Sequence, residues 1–219
     1  MEKSMVIKIA KKAAVKRKND MIQNLCKGQK VLDVGCIGQD FTTTDTNWLH
    51  NQIRSVASDV TGVDIATDKI KELNAQGYKM LHVTQLQNLD DRYDVIIMAD
   101  VIEHVDDPVG FLRFYSQFLK EHGSMMVSTP NANRAINFFS ILLFNNYSVN
   151  DEHTCWFCPK TINEVVGRSG LQIRDFFWLK RYYSLKGLSF VTILLSCFSD
   201  CLAFLRRNFH QNFMVILSK

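Results

Sequence analysis

Val31-Leu32-Asp33-Val34-Gly35-Cys36-Ile37-Gly38-Gln39 is the stretch whose reading decides the fold. A short apolar strand, Lys30–Val34, runs into a turn bearing two glycines, and a helix is expected to follow. Glycine lets backbone approach a ligand closely, and a helix N-terminus supplies free N–H groups. Many α/β folds turn this way, so the next strand matters. Val60-Thr61-Gly62-Val63-Asp64 is apolar and ends in an acid. A carboxylate there can accept two hydrogen bonds from ribose hydroxyls. Strand, glycine turn, helix, strand, acid is the nucleoside-binding order of doubly wound sheets. The other reading of Asp64 is a cap for the helix Thr67–Gln76, a task for which Thr67 stands closer.

The rest of the chain continues the alternation. Lys79–Val83 is strand-like. Tyr93–Ala99 is an unbroken apolar run, as expected of a strand buried on both faces of a parallel sheet. Phe111–Lys120 repeats apolar residues at helical spacing, Gly123 ends it, and Met125–Ser128 is the next strand. Then come a helix at Thr161–Arg168, a strand at Leu171–Leu179, an apolar helix near Leu188–Leu205 and a strand at Phe213–Leu217. Such alternation implies βαβ units and a parallel sheet with right-handed crossovers. We expect a single domain over 1–219, with a basic helical segment at 1–29, a ligand-binding core at 30–130, and an acceptor-side lid with the last strands at 131–219.

The 47% hydrophobic and 22% charged composition excludes disorder, collagen and coiled coil as the main architecture. Three prolines and ten glycines leave little material for linkers. The net charge is +4, yet residues 1–30 alone carry +7, leaving about −3 for the remainder. A global nucleic-acid footprint is therefore not expected. The basic start reads as a solvated amphipathic helix, the sharper alternative being an anion- or membrane-facing arm. The six cysteines show no disulfide-framework spacing, and no apolar signal region follows the basic start. Reduced thiols and a cytoplasmic location are the expectation. Leu188–Ser199 is 12 residues before Asp200, short of the roughly 20 that span a bilayer. It is read as a helix packed on the sheet or its edge, the sharper alternatives being an interfacial helix or a homodimer contact. A second apolar stretch, Phe138–Phe144, is expected to share a substrate lid with it.

A third motif sits after the central strand: Asp100-Val101-Ile102-Glu103-His104-Val105. Ligands of open α/β sheets bind where strands end in this way. Together with Asp33-Val34-Gly35-Cys36, Gly62-Val63-Asp64 and Ser128-Thr129-Pro130-Asn131, it resembles the class I S-adenosylmethionine-dependent methyltransferases over roughly Val31 to Leu171. The resemblance implies a Rossmann-like, mostly parallel seven-stranded α/β sheet, ordered 3-2-1-4-5-7-6 with an antiparallel seventh strand. It implies that Asp33, Gly35, Cys36 and Gly38 surround the methionine part of S-adenosylmethionine. Asp64 would hold the ribose, Ile65 and the Thr84-Gln85 pair would meet the adenine, and Asp100 and Val101 would flank the methionine and ribose. Two departures stand out. Ile37 replaces the second glycine of the turn, and Thr84 replaces an acid. The stretch Phe41–Asp59 is Thr-rich and long, with Trp48 and His50 expected at the entrance. A dinucleotide site would want Gly-x-Gly-x-x-Gly, and this turn offers Gly-x-x-Gly.

Methyl transfer from a sulfonium gains much of its rate from orientation. A hydroxyl acceptor also has to lose a proton, and histidine is the usual base. His104 and His153 are the candidates. Asp100-x-x-Glu103-His104 also resembles the segment of metal-dependent members, including quinone-pathway O-methyltransferases and small-RNA 2′-O-methyltransferases; the expectation here is catalysis with no metal. Cys155-Trp156-Phe157-Cys158 lacks a second Cys pair for zinc, so Trp156 and Phe157 are expected to plug the core. The acceptor implied is a small molecule or glycan-related hydroxyl compound. The alternatives are a non-catalytic binding or scaffold protein on the same fold, or an RNA 2′-O-methyltransferase using residues 1–30.

Overall fold

The computed structural model describes residues 3–38, 48–87, 90–180 and 190–219. Among them eight strands form one sheet: β1 (Val15–Lys16), β2 (Lys30–Val34), β3 (Asp59–Asp64), β4 (Met80–His82), β5 (Tyr93–Ala99), β6 (Leu119–Pro130), β7 (Gln172–Leu179) and β8 (Asn212–Ser218). Their order is β4-β3-β2-β5-β6-β8-β7-β1. β8 is antiparallel to both neighbours and the other pairings are parallel. Counted from the strand at Lys30, this is the expected 3-2-1-4-5-7-6 order, with β1 added at one edge. The chain reverses its direction of winding between β2 and β5, which opens a crevice at their carboxyl ends.

Nine helices accompany the sheet among the described residues: α1 (Lys3–Lys12), α2 (Lys18–Cys26), α3 (Leu49–Arg54), α4 (Thr67–Ala75), α5 (Val83–Leu86), α6 (Pro108–Ser116), α7 (Ala135–Phe144), α8 (Pro159–Ser169) and α9 (Phe190–Leu205). The apolar run of β5 explains the layering. Ile96 and Met98 share one core with Ala10 of α1, Leu112 and Tyr115 of α6, and Ile162 and Val166 of α8. Val95 and Ile97 share the opposite core with Ile22 and Cys26 of α2 and Ile53 of α3. Alternate residues thus face opposite helical layers, so both faces of the strand must be apolar.

Several sequence expectations need correction. The basic start is two helices, with β1 between them pairing with β7; α1 buries Val6 and Ala10, and Ala13 just after it is buried too, so it is docked as well as solvated. The helix expected at Phe111–Lys120 is Pro108–Ser116, because Asp107 caps it and Leu119 is already paired with Tyr93. Phe118 and Leu119 kept the helical spacing in the sequence because both are buried in the same core. α9 does not lie on the sheet with an apolar face inward. It packs against α7, with Phe139 and Phe198 ring centroids 5.3 Å apart, and it buries Ser196, Ser199 and Ala203 instead. Residues 41–47 of the Thr-rich stretch and 188–189 of the apolar one lie outside the described residues.

Trp178 fastens the edge of the sheet to the N-terminal segment. It is fully buried on β7, and its indole N–H donates to the Ala10 carbonyl at 2.7 Å. Trp178→Ala is expected to lower the unfolding free energy by about 3–5 kcal/mol. Trp178→Phe, which keeps most of the volume but strands that carbonyl, should cost about 1–3 kcal/mol. Urea unfolding followed by circular dichroism checks both.

Candidate active site

The turn after β2 is held from below and from the side. Gly35 has φ +67°, a conformation costly for any residue with a Cβ, and a Cβ there would meet Val101 Cγ2 at 2.6 Å. The crevice wall from β5 therefore packs directly on the turn backbone. Asp64 supplies the lateral tie. Its Oδ2 accepts from Ile37 N–H at 2.9 Å, and its Oδ1 accepts from Ile65 and Ala66 N–H at 2.7 and 3.1 Å. Helix α4 starts after Ala66 with no side-chain cap, so neither Thr67 nor Asp64 caps it; the Asp64 carboxylate instead fixes the two residues ahead of it. Ile37, the departure from the glycine pattern, takes part through its backbone alone. Among the described residues nothing lies within 4 Å of where a Cβ on Gly38 would point.

Beneath the turn, Asp33 Oδ2 lies 2.8 Å from His50 Nδ1, and both side chains are buried. Trp48 Nε1–H donates to the Cys36 carbonyl at 2.6 Å. Trp48 and His50 are thus under the turn and not at an entrance, because a buried carboxylate needs a partner. Burial, with Asp33 and Asp64 nearby, pushes the Cys36 thiol well above its usual range and keeps it neutral. Asp33, Cys36 and His50 have ligand atoms within 4.8 Å of one another, but all three are buried in supporting positions.

On the β4 side, Asp64 pairs in register with His82, so Thr84 and Gln85 at the start of α5 share the crevice rim with it. Both are exposed. Thr84 Oγ1 lies 2.8 Å from His82 Nδ1, and Gln85 Oε1 accepts from His82 N–H at 2.8 Å, so both side chains are engaged in capping. Ile65 is 76% exposed beside Asp64.

Asp100 leaves β5 with φ +56°. Its carboxylate accepts from Ser128 Oγ at 2.7 Å and from Lys18 Nζ at 2.5 Å. Lys18 was missed by sequence reasoning. The basic run Lys16-Arg17-Lys18 was visible, but nothing in it showed which cation α2 would aim at the crevice.

The two candidate histidines meet. Thr154 and Cys155 N–H both donate to the Glu103 carbonyl, at 2.9 and 3.1 Å, and Thr154 Oγ1 donates to the Val105 carbonyl at 2.9 Å. This fastens the 150–155 loop to the turn after β5. His104 and His153 are thereby brought edge to face, ring centroids 4.7 Å apart. Glu103 is buried beside them, its Oε2 without a hydrogen-bond partner among the described residues. Burial, and then the charge of Asp100, pushes its carboxyl up to about 8. Burial and the neighbouring His104 and Arg134 hold His153 below the usual histidine range. Glu103 and His153 line a small cavity with Arg134 and Asn137, and the last two also line a cavity of about 600 Å³ below α7. Of the Cys155–Cys158 stretch, Phe157 is buried as expected, whereas Trp156 is 41% exposed on these cavities.

A methyltransferase-domain family model matches residues 7–175, most of the chain. The chain belongs to the class I S-adenosylmethionine-dependent methyltransferase family. It is 29% identical over 125 residues to a ubiquinone biosynthesis O-methyltransferase of Bordetella avium, covering 53% of this chain and 48% of that protein. The chain thus spans about half the length of the curated relatives it matches. Two solved methyltransferases share the fold. One, S-adenosylmethionine-dependent and from Archaeoglobus fulgidus, superposes with TM-score 0.59 at 16% identity, covering 92% of this chain and 95% of the other. The other, magnesium protoporphyrin IX methyltransferase from Synechocystis with bound S-adenosylhomocysteine, gives 0.53 at 13%, covering 98% and 82%. The methyltransferase cofactor S-adenosylmethionine fits the crevice described above: glycine-supported backbone, an acid on the second core strand and an exposed apolar side chain next to it.

Glu103 makes the stability of the chain pH-sensitive in a defined direction. Its folded value near 8 lies above its ordinary 4.5, so the folded chain keeps a proton that the unfolded chain has lost between those values. Stability contributed by Glu103 is therefore greatest below about pH 4.5 and declines as pH rises through 8. Glu103→Gln, melted in parallel with the parent in chelator-treated buffer, should gain relative stability from pH 5 to pH 9 by on the order of a few kcal/mol. A pH-independent difference would show that this carboxyl is already ionised at pH 5.

Proposed function

We propose that the chain transfers a methyl group from S-adenosylmethionine to a hydroxyl oxygen of a small organic acceptor. The observation that carries this reading is the meeting of His104 and His153 at the buried Glu103, on the same strand end as Asp100. The cofactor lies along the crevice, with its ribose on Asp64, adenine against Ile65 and the Thr84-Gln85 rim, and methionine over Gly35 and Gly38 beside Val101. Asp33 and Cys36 support that turn from beneath. Lys18, now on Asp100, offers a cation to the methionine carboxylate.

S-adenosylmethionine supplies an electrophilic methyl on a sulfonium. The acceptor oxygen forms a bond to that carbon as the sulfur–carbon bond breaks, leaving neutral S-adenosylhomocysteine. The hydroxyl proton passes to a histidine imidazole. His153 suits this task, since burial keeps it neutral and able to accept a proton. His104 stands edge-on to it and limits its orientation. The name of the Bordetella avium relative, an O-methyltransferase, supports an oxygen acceptor. The acceptor enters below α7, where Ala132, Arg134, Asn137 and Trp156 line both cavities. Phenols and hydroxylated, glycan-related compounds are the classes to screen.

A second reading is favoured by one observation. Glu103, His104 and His153 each offer a ligand atom within 4.8 Å of the others, and Glu103 Oε2 is an orphaned buried acceptor. A divalent ion fits those donors and would supply Lewis-acid activation of the acceptor oxygen. With a methylated acceptor found from the screen, His153→Ala should lower kcat roughly 10²–10⁴-fold while leaving cofactor affinity unchanged. Chelation should leave the parent rate unchanged. A rate lost on chelation and restored by Mg²⁺ assigns the cluster to a metal instead. Full activity in both His104→Ala and His153→Ala removes the cluster from the reaction.

A further inference from the structure

Helix α9 is inside out for a protein helix surrounded by water. It buries Ser196, Ser199 and Ala203, spaced three and four apart on its inner face, and exposes Leu194, Phe198, Phe204 and Leu205. Phe204 is 87% exposed and Phe198 52%. A helix in water normally turns its apolar stripe inward. Its partner α7 repeats the inversion, burying Ala135 and Asn137 while Phe138 and Leu142 face out. The two helices touch through Phe139 and Phe198, so their outer sides form one apolar face. Exposed apolar side chains gathered on two touching helices mark an interaction site.

A second, independent feature borders it. The fold brings the basic N-terminal segment to the end of α9. Lys180 N–H donates to the Lys16 carbonyl at 2.7 Å, and the Arg207 guanidinium donates to the Ala13 carbonyl and, at 3.4 Å, to that of Lys12. Lys12, Lys16, Lys180 and Arg207 are all exposed. Lys180, Arg207 and Phe204 line one open cavity of about 570 Å³, whose one acid among the described residues is Asp200. The apolar face thus ends in a rim of cations.

We propose that α7, α9 and this rim dock the protein on an anionic lipid surface. The aliphatic and aromatic side chains enter the headgroup–acyl boundary, and the lysines and arginine meet lipid phosphates. Among the described residues no helix is long and apolar enough to cross a membrane, so the contact is peripheral. A second copy of the chain matches the apolar face but brings the same cations to the rim with, among the described residues, only Asp200 to meet them. A nucleic acid meets the cations but has no use for Leu194 and Phe204. The lipid surface satisfies both.

The test is flotation of the full chain with phosphatidylcholine vesicles, with and without phosphatidylglycerol. It needs neither cofactor nor acceptor, so its outcome is separate from the methyl-transfer reading. Binding is expected only when phosphatidylglycerol is present, and it should weaken as salt is raised. Leu194→Glu with Phe204→Glu should abolish it, and Lys16→Ala with Lys180→Ala should weaken it about tenfold or more. Unchanged melting temperatures and cofactor affinity establish that the variants fold. Absence of flotation with either composition overturns the proposal, as does full flotation of Leu194→Glu/Phe204→Glu. A dimer in sedimentation that the same apolar pair abolishes, without flotation, assigns the face to a second copy. RNA binding that needs the lysines but not Phe204, again without flotation, assigns the rim to nucleic acid.

Discussion

The site depends on one carboxylate. Asp64 gathers three backbone N–H groups, one from the turn after β2 and two from its own strand end. Without it, the glycine turn and the entry to α4 are separate loops flanking a crevice. With it, they are one rim. The interaction is charge-assisted and largely buried, which makes such bonds roughly twice as strong as neutral ones. It also leaves the carboxylate at the carboxyl edge of the sheet, where a hydroxyl donor can reach its remaining lone pair on Oδ2. Gly35 and Gly62 make the close approach feasible. A Cβ on Gly35 would strike Val101, and one on Gly62 would meet Met80 Sδ at 2.5 Å and Cys36 Sγ at 2.9 Å.

The acceptor side is organised by backbone in the same way. The carbonyl of Glu103 receives two N–H groups from the 150–155 loop, so a segment far away in sequence delivers His153 to His104. The side chain of Glu103 pays for this placement with burial, which is why its carboxyl is pushed up to about 8. A desolvated acid beside two half-buried imidazoles is what makes this cluster the candidate for proton movement in the proposed reaction.

Much of this was legible in the sequence, and the failures have common causes. The core strands were legible because a strand buried on both faces has to be apolar throughout, as Tyr93–Ala99 is. The strand order followed from the motif resemblance and not from periodicity. Asp64 was read for its chemistry, but its hold on the glycine turn was not, and Thr67, the expected cap of α4, makes no cap bond, because spacing alone does not show which oxygen reaches the free N–H groups. His50 and Trp48 were expected at the entrance because their stretch is Thr-rich and long; the need of buried Asp33 for a partner becomes visible only in three dimensions. The reach of Lys18 to Asp100 spans 82 residues and carries no local signature. The apolar stretch around α9 was recognised, but packing on the sheet was preferred to an outward-facing helix, since Ser196, Ser199 and Ala203 look like ordinary interruptions until they are seen to form the buried face.

The central claim is that the Asp64-held crevice binds S-adenosylmethionine. Calorimetric titration of the purified chain with S-adenosylmethionine and S-adenosylhomocysteine, beside Asp64→Ala, tests it most directly. The account predicts micromolar binding of both compounds by the parent, weakened at least about tenfold in a variant that still unfolds cooperatively. No binding by the parent, or equal binding by the variant, would contradict it.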